Sequence, residues 1–227
     1  MNNTTSMTNT RWKEFTFKVI EPSDYSAVFR HLKGSFYIEE PVNKALGFSP
    51  EREQDLNVRK IDMFNRYSKS LAVCPLEEPD RIVAVLITNI HDVNTPMPFF
   101  EPRSPITTKY RHVLEQMEKA FNIHETYGVP RFPELAILSV DKEFRGKGIA
   151  TELYKRAISQ LFLEGFPLVY SEFSNPISRL VGERLGFKEV SRFYFKDLTL
   201  PDISCAFDNV ENDDFVTLTV LENPEHK

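Results

Sequence analysis

Arg145-Gly-Lys-Gly-Ile-Ala150 carries the clearest chemical signal in the chain. It stands between an apolar run, Glu134-Leu-Ala-Ile-Leu-Ser-Val140, and a stretch in which Leu153, Ala157, Ile158 and Leu161 recur at helical spacing. The run is short and rich in β-formers, so it predicts a strand. Gly146 and Gly148 then occupy a turn that opens onto a helix. The first N–H groups of a helix lack partners and its dipole is positive there, so such a turn binds phosphate. Arg145 and Lys147 add positive charge beside it. Two commoner phosphate motifs are excluded. A P-loop needs a glycine ahead of Gly-Lys and a Ser or Thr after it. Asp141 and Gly148 hold those places here. A dinucleotide fingerprint needs a third glycine where Thr151 stands.

Other reactive groups are weaker on their own. Ser174 and Ser178 stand at helical spacing and share a helix face. Ser174-Asn-Pro176 also looks like a cap and first turn, so Ser174 is either a cap or a reactive hydroxyl. Packing is the plain alternative for Ser178. Glu39 and Glu40 precede Pro41 and, taken alone, read as a solvated loop pair. The histidines at 31, 91, 112, 124 and 226 show no metal-ligand spacing, so no metal is expected. No Gly-x-Ser-x-Gly elbow occurs. Cys74 reads as a small buried apolar residue.

Alternating strands and helices must position these groups, which makes an α/β domain with a mixed sheet. Strands are expected at 15–20, 71–74, 81–90, 135–140, 168–173, 188–198 and 215–221. Helices are expected from Tyr25, from Pro50, over 107–127, from Thr151 and from Pro176. The segment 34–43 links two helices, because Pro41 disfavours helix at Glu40. His91 to Pro105 carries four prolines and reads as loop.

Composition narrows the class. A chain of 227 residues suffices for one domain with a sizeable core. Its 41% apolar and 27% charged residues are ordinary for a soluble globular protein. A net charge of -5 argues against nucleic acid and tolerates a cationic substrate. Two cysteines make no disulfide framework, so a reducing cytoplasm is the expectation. The longest clean apolar run, Ile82 to Ile87, is far short of a membrane span. Residues 1–14 read as a disordered lead, and 15–227 as one domain, expected to be a monomer.

Arg145, Gly148 and Ala150 fit Arg-x-x-Gly-x-Ala. With the strand before and the helix after, this resembles the acetyl-CoA pyrophosphate loop of the GNAT N-acetyltransferase superfamily. The order of elements is similar to that fold from about Phe15 to Leu221. Arg184-Leu-Gly-Phe187 is similar to its closing segment. Phe36-Tyr-Ile-Glu-Glu-Pro-Val-Asn43 resembles the Glu-Pro segment of the insect-type arylalkylamine (dopamine) N-acetyltransferases.

The resemblance implies a GNAT fold with a mixed central sheet of about seven strands and a splayed central strand. It implies that Arg145, Gly146, Lys147, Gly148, Ile149 and Ala150 hold the pyrophosphate of acetyl-CoA. Backbone groups of Leu138 and Val140 would pair with the pantetheine arm and thioester, and Asn175 would bond that arm. Glu40 maps onto the general base, with Glu39 as the fallback and otherwise a substrate contact, and Ser174 and Ser178 onto a pair that handles protons. Phe36 and Tyr37 either line an aromatic amine pocket, with Phe48, or pack in the core. Many superfamily members carry a tyrosine acid where this chain has Gly182, so Ser178 or water would serve instead. The implied activity is transfer of an acetyl group to a small primary amine, such as dopamine, tyramine, octopamine or serotonin. The alternatives are a polyamine or amino-acid acetyltransferase, or a domain that binds CoA without catalysis.

Overall fold

The computed structural model describes residues 10–50, 69–94, 104–199, 207 and 214–226. The strands are β1 (Thr10–Trp12), β2 (Phe15–Val19), β3 (Leu71–Pro75), β4 (Ala84–Asp92), β5 (Arg131–Val140), β6 (Leu168–Phe173), β7 (Lys188–Tyr194) and β8 (Phe215–Glu222). They form one eight-stranded sheet in the order β1-β2-β3-β4-β5-β6-β8-β7. β5 and β6 are parallel, and the other neighbours run antiparallel. The helices are α1 (Tyr25–Gly34), α2 (Phe36–Glu39), α3 (Pro41–Ala45), α4 (Pro105–Ala120), α5 (Ile123–Tyr127), α6 (Ile149–Leu163) and α7 (Pro176–Arg184).

Three clusters make the core. Leu86 and Leu135 on one sheet face pack with Phe15 and Phe17 against Leu153, Tyr154 and Ala157 of α6. Val85, Ile87 and Ile137 point the other way and meet Val28 and Leu32 of α1, as the alternation of strand side chains requires. At the far end Leu168, Val216 and Leu218 pack on Val113 and Met117 of α4. Cys74 is buried on β3, as a small apolar residue would be. Among the described residues no helix is long and apolar enough to cross a membrane.

Several expectations shift. The sheet has eight strands, because Thr10–Trp12, placed by the sequence in a disordered lead, pairs with Phe15–Phe17. Edge-on packing of Trp12 on Phe17, with ring centroids 5.9 Å apart, holds this hairpin down. The helix expected over 107–127 is two, because Phe121 is extended and Asn122 caps a new start through the Glu125 N–H. The 34–43 link is itself two short helices, broken at an extended Glu40. β4 runs on to Asp92, inside the expected loop, and β7 stops at Tyr194, where a short 3-10 turn begins. The helix expected from Pro50 falls largely outside the described residues.

One feature of the sheet positions the site. β5 is laddered to β4 from Arg131 to Val140. Its pairing with β6 is confined to Glu134 and Tyr170. Beyond that pair the two parallel strands part, and the edge of β5 from Leu135 onward faces a gap. The splay expected of the central strand is therefore present.

Gly182 on α7 has a packing reason. A Cβ there would stand 2.4 Å from Cε2 of Phe173. The Phe173 ring cannot retreat easily, being wedged edge-on between Tyr154 and Phe187 at 6.3 and 5.8 Å. A tyrosine at this position is thus incompatible with Phe173. Gly182→Ala should lower stability in urea unfolding. Overpacking of about 1–3 kcal/mol outweighs the roughly 1 kcal/mol that alanine gains over glycine in a helix. A double-mutant cycle with Phe173→Leu should show favourable coupling; additive effects would refute the contact as the cause.

Candidate active site

The gap between β5 and β6 opens into a cavity of about 590 Å³. Its walls bring together α2 and α3, the end of β5, the start of α6 and the start of α7.

At one end is the glycine turn. Gly146 and Gly148 have φ of 76° and 88°, the left-handed region that glycine tolerates. Gly148 is the N-cap of α6 and makes no side-chain cap bond. The first N–H groups of this helix therefore face the cavity at Ile149, Ala150 and Thr151, which line it. Trp12 supports the turn from behind, 3.6 Å from where a Gly148 Cβ would be. The arrangement fits a pyrophosphate: backbone donors and a positive helix end, at a turn whose left-handed glycines let the chain enter the helix there.

Arg145 lines the same end. Its Nε donates to the Val140 carbonyl at 3.0 Å, and its Nη2 bonds Glu39. Lys142 also pairs with Glu39, at 2.9 Å. Burial pushes the Glu39 carboxyl up, but the bonds to Arg145 and Lys142 outweigh it and hold it below the ordinary range. Glu39 thus pairs with the basic residues next to the glycine turn, whereas Glu40 turns to Ser174. Lys147 does not line the cavity; its Nζ lies 3.5 Å from Glu14 and over the Phe144 ring.

Glu40 stands on the opposite wall. It caps α3, and its carboxylate accepts from the N–H groups of Val42 (3.0 Å) and Asn43 (2.6 Å). Ser174 Oγ donates to the same carboxylate at 2.7 Å. Burial raises the Glu40 pKa, and these three bonds oppose it without cancelling it. A buried carboxylate whose pKa is raised is a better proton acceptor than an exposed one. Ser174 is therefore no helix cap. That role falls to Asn175, whose Oδ1 accepts from Ile177 N at 2.8 Å. Asn175 and Ser178 line the cavity, although the Ser178 hydroxyl donates to the Asn175 carbonyl rather than to Ser174 or Glu40.

Leu138, Val140 and Phe36 line the cavity. Tyr37 does not. It packs on Phe36 and Phe48, with centroids 5.6 and 5.9 Å away, inside the α1 cluster. Burial pushes its phenol up to about 12. Tyr37 and Phe48 are core residues.

Sequence reasoning missed Tyr110 of α4 and Glu172 of β6, both in the cavity wall. Glu172 accepts from Tyr170 OH at 2.8 Å. Burial, then the nearby Glu134 carboxylate, pushes Glu172 up to about 7. His91 donates to Glu134 at 2.7 Å, and despite burial its pKa is raised by that bond. Partial desolvation, then the carboxylates of Glu40 and Glu172, raise the pKa of the Tyr110 phenol, a residue that is 37% exposed. One signal was available: Glu172 is the single charge in an otherwise uncharged strand, Leu-Val-Tyr-Ser-Glu-Phe173. Among the described residues no three His, Cys, Asp or Glu side chains group as a metal site.

Comparison with known proteins agrees with this geometry. Arylalkylamine N-acetyltransferase 2 from Aedes aegypti superposes with a TM-score of 0.81 at 22% identity, over 93% of this chain and 100% of that one. Mosquito arylalkylamine N-acetyltransferase like 5b gives 0.79 at 16% identity, over 92% and 99%. The Drosophila melanogaster polyamine N-acetyltransferase that forms N-acetylagmatine gives 0.79 at 18%, over 92% and 99%. At these identities the likeness concerns the fold. The model of the Acetyltransferase (GNAT) family matches residues 45–187, more than half of the chain. By that match the chain belongs to the GNAT acetyltransferases, enzymes that use acetyl-CoA.

Proposed function

We propose that this enzyme acetylates a small primary amine, an arylalkylamine first of all, by direct attack on acetyl-CoA with Glu40 as general base. The observation that carries the reading is the Glu40 carboxylate, half-buried and held by two N–H groups in the wall of the cavity that also holds the glycine turn.

An alkylamine at neutral pH is mostly ammonium and cannot attack until a base takes its proton. Glu40 is held for that task by two N–H groups and the Ser174 hydroxyl. The free amine then adds to the thioester carbon. Negative charge develops on the thioester oxygen, and unpaired backbone N–H groups on the open edge of β5 are suited to receive it. Collapse expels the thiolate, which takes a proton from Ser178 or water, because Gly182 leaves no tyrosine to supply one. Holding amine and thioester in one cavity supplies the entropic part of the acceleration. No protein nucleophile is needed for this transfer.

Phe36 and Tyr110 offer ring faces to an aromatic acceptor. A second reading rests on Glu172. A carboxyl in the cavity wall suits either a phenolic hydroxyl or a second cation, so a diamine or guanidinoamine is the rival acceptor.

Glu40→Gln should lower kcat/KM for the amine by about 100-fold or more, while calorimetry shows acetyl-CoA still binding. Because the Glu40 pKa is raised, parent activity should climb with pH beyond the ordinary carboxylate range; a variant with unchanged rates would remove Glu40 from the mechanism. A panel of amines against Glu172→Gln separates the two acceptors. Losing a charged contact worth about 1.5–3 kcal/mol should raise KM at least tenfold for a diamine or agmatine if the rival holds, and little for tyramine. The variant also has a stability signature. Glu172 is raised to about 7 in the fold, so its contribution is complete at acid pH and lost as pH rises through that value. Glu172→Gln should therefore gain on the parent in melting temperature between pH 5 and pH 8. An offset independent of pH would contradict the buried, raised carboxyl.

A further inference from the structure

A second set of reactive groups, two in the cavity wall and two behind it, has no part in the amine transfer. His31 on α1 places Nε2 3.0 Å from Ser139 Oγ on β5. Its Nδ1 lies 3.1 Å from Asp141 Oδ1, a charge contact too poorly aligned for a hydrogen bond. Ser35, one helical turn after His31, places its Oγ 2.7 Å from Ser139 Oγ. Ser35 and Ser139 line the cavity, and His31 is 8% exposed.

The arrangement follows from local geometry. His31 and Ser35 are four residues apart, so they sit on one helix face. Ser139 and Asp141 are two apart, so they project to one side of the chain end at β5. Docking α1 on β5 through Val28, Leu32 and Ile137 brings the two pairs together. Neither pair is conspicuous in sequence, since the chemistry exists only across the α1–β5 contact.

The order of groups is carboxylate, imidazole, hydroxyl, the set that activates a serine in unrelated folds; here the imidazole–hydroxyl leg is hydrogen-bonded and the carboxylate acts through its charge. The proton positions are consistent with it. The Ser35 hydroxyl donates to the His31 carbonyl at 2.7 Å, so toward Ser139 it only accepts. The Ser139 proton thus has two acceptors, His31 Nε2 and Ser35 Oγ. The Asp141 carboxylate, 3.1 Å from Nδ1, favours a proton on that nitrogen by its charge rather than by a hydrogen bond, which leaves Nε2 as the base.

We infer that Ser139, with His31 as its base and Asp141 as the positioning residue, is an activated nucleophile that gives this fold a second activity: hydrolysis of an acyl thioester when no amine is present. Ser139 Oγ attacks the thioester carbon and its proton passes to His31 Nε2. The C–S bond breaks, and His31 returns the proton to the departing thiolate, leaving acetyl-Ser139 and free CoA. Water then attacks the ester, its proton passing to His31. The C–O bond breaks and the proton restores the Ser139 hydroxyl, releasing acetate. One water is consumed, nothing is oxidised or reduced, and acetic acid ionises in solvent.

The thioester part rests on acetyl-CoA being the acyl donor of the proposed function; the nucleophile itself does not. The first experiment therefore uses no acyl donor. The full chain is treated with phenylmethylsulfonyl fluoride and the adduct is located by tandem mass spectrometry. The expected result is a single sulfonylated residue, Ser139, formed about 100-fold more slowly in His31→Gln, the usual size of a lost general base, and more slowly in Asp141→Asn. Labelling of the parent requires no variant to fold. An unmodified Ser139, or one labelled equally fast in His31→Gln, overturns the inference. The second experiment follows thiol release from acetyl-CoA without amine. Hydrolysis should persist in Glu40→Gln and vanish in Ser139→Ala. Equal hydrolysis in Ser139→Ala overturns it, whereas loss of amine transfer in Glu40→Gln alone bears only on the proposed function.

Discussion

The parting of β5 from β6 is the constraint on which the rest of this structure depends. Backbone N–H and C=O groups in a sheet interior normally pair on both edges. Here β5 is fully laddered on its β4 side, and on its β6 side one pair, Glu134 with Tyr170, is made before the strands diverge. The parallel connection through α6 explains why the sheet tolerates this. α6 packs Leu153, Tyr154 and Ala157 on the face behind the gap, so the diverging strands are held apart by side chains rather than by each other. The consequence is a buried polar edge facing a cavity, which is unfavourable for stability alone and is suited to binding something with its own donors and acceptors.

Charge within that cavity is sorted by the elements that carry it. The positive groups cluster at one end, where the α6 start, Arg145 and Lys142 lie, and Glu39 partners both side chains. The uncompensated carboxyls lie elsewhere. Glu40 is bound by amides and a hydroxyl, not by a cation. Glu172 is bound by a phenol. Burial raises both. The difference from Glu39, one residue before Glu40, is instructive. Adjacent glutamates end with pKa shifts of opposite sign because Pro41 breaks the helix between them and sends their side chains to different walls.

What the sequence made legible follows from how local each signal is. The glycine turn, the strand before it and the helix after it are read from contiguous residues, and all are present. Strand β6 is found at its expected bounds, Leu168–Phe173. The misreadings are of groups whose environment is set from afar. Tyr37 is aromatic and near Glu40 in sequence, but the α1 cluster claims it. Lys147 is in the phosphate motif, but the β1–β2 hairpin offers it Glu14 and two aromatic rings. That hairpin was hidden because a three-residue strand has too few residues to show alternation. Glu172 and Tyr110 carry no motif, and their meeting in one cavity wall is a tertiary fact.

Gly182 shows how packing and chemistry constrain each other. Phe173 ends β6 and its ring fills the space above Gly182. The next residue, Ser174, reaches Glu40. The chain therefore cannot restore a side chain at 182 without moving the strand end that carries Ser174. A tyrosine acid and the present Phe173–Ser174 arrangement are alternatives, not additions. In the proposed transfer, protons would pass through hydroxyls and water along α7 and β5. The wall of this cavity is accordingly furnished with serines, at 35, 139, 174 and 178. Short hydroxyls on rigid elements are what such traffic requires, because each can donate and accept without the chain moving.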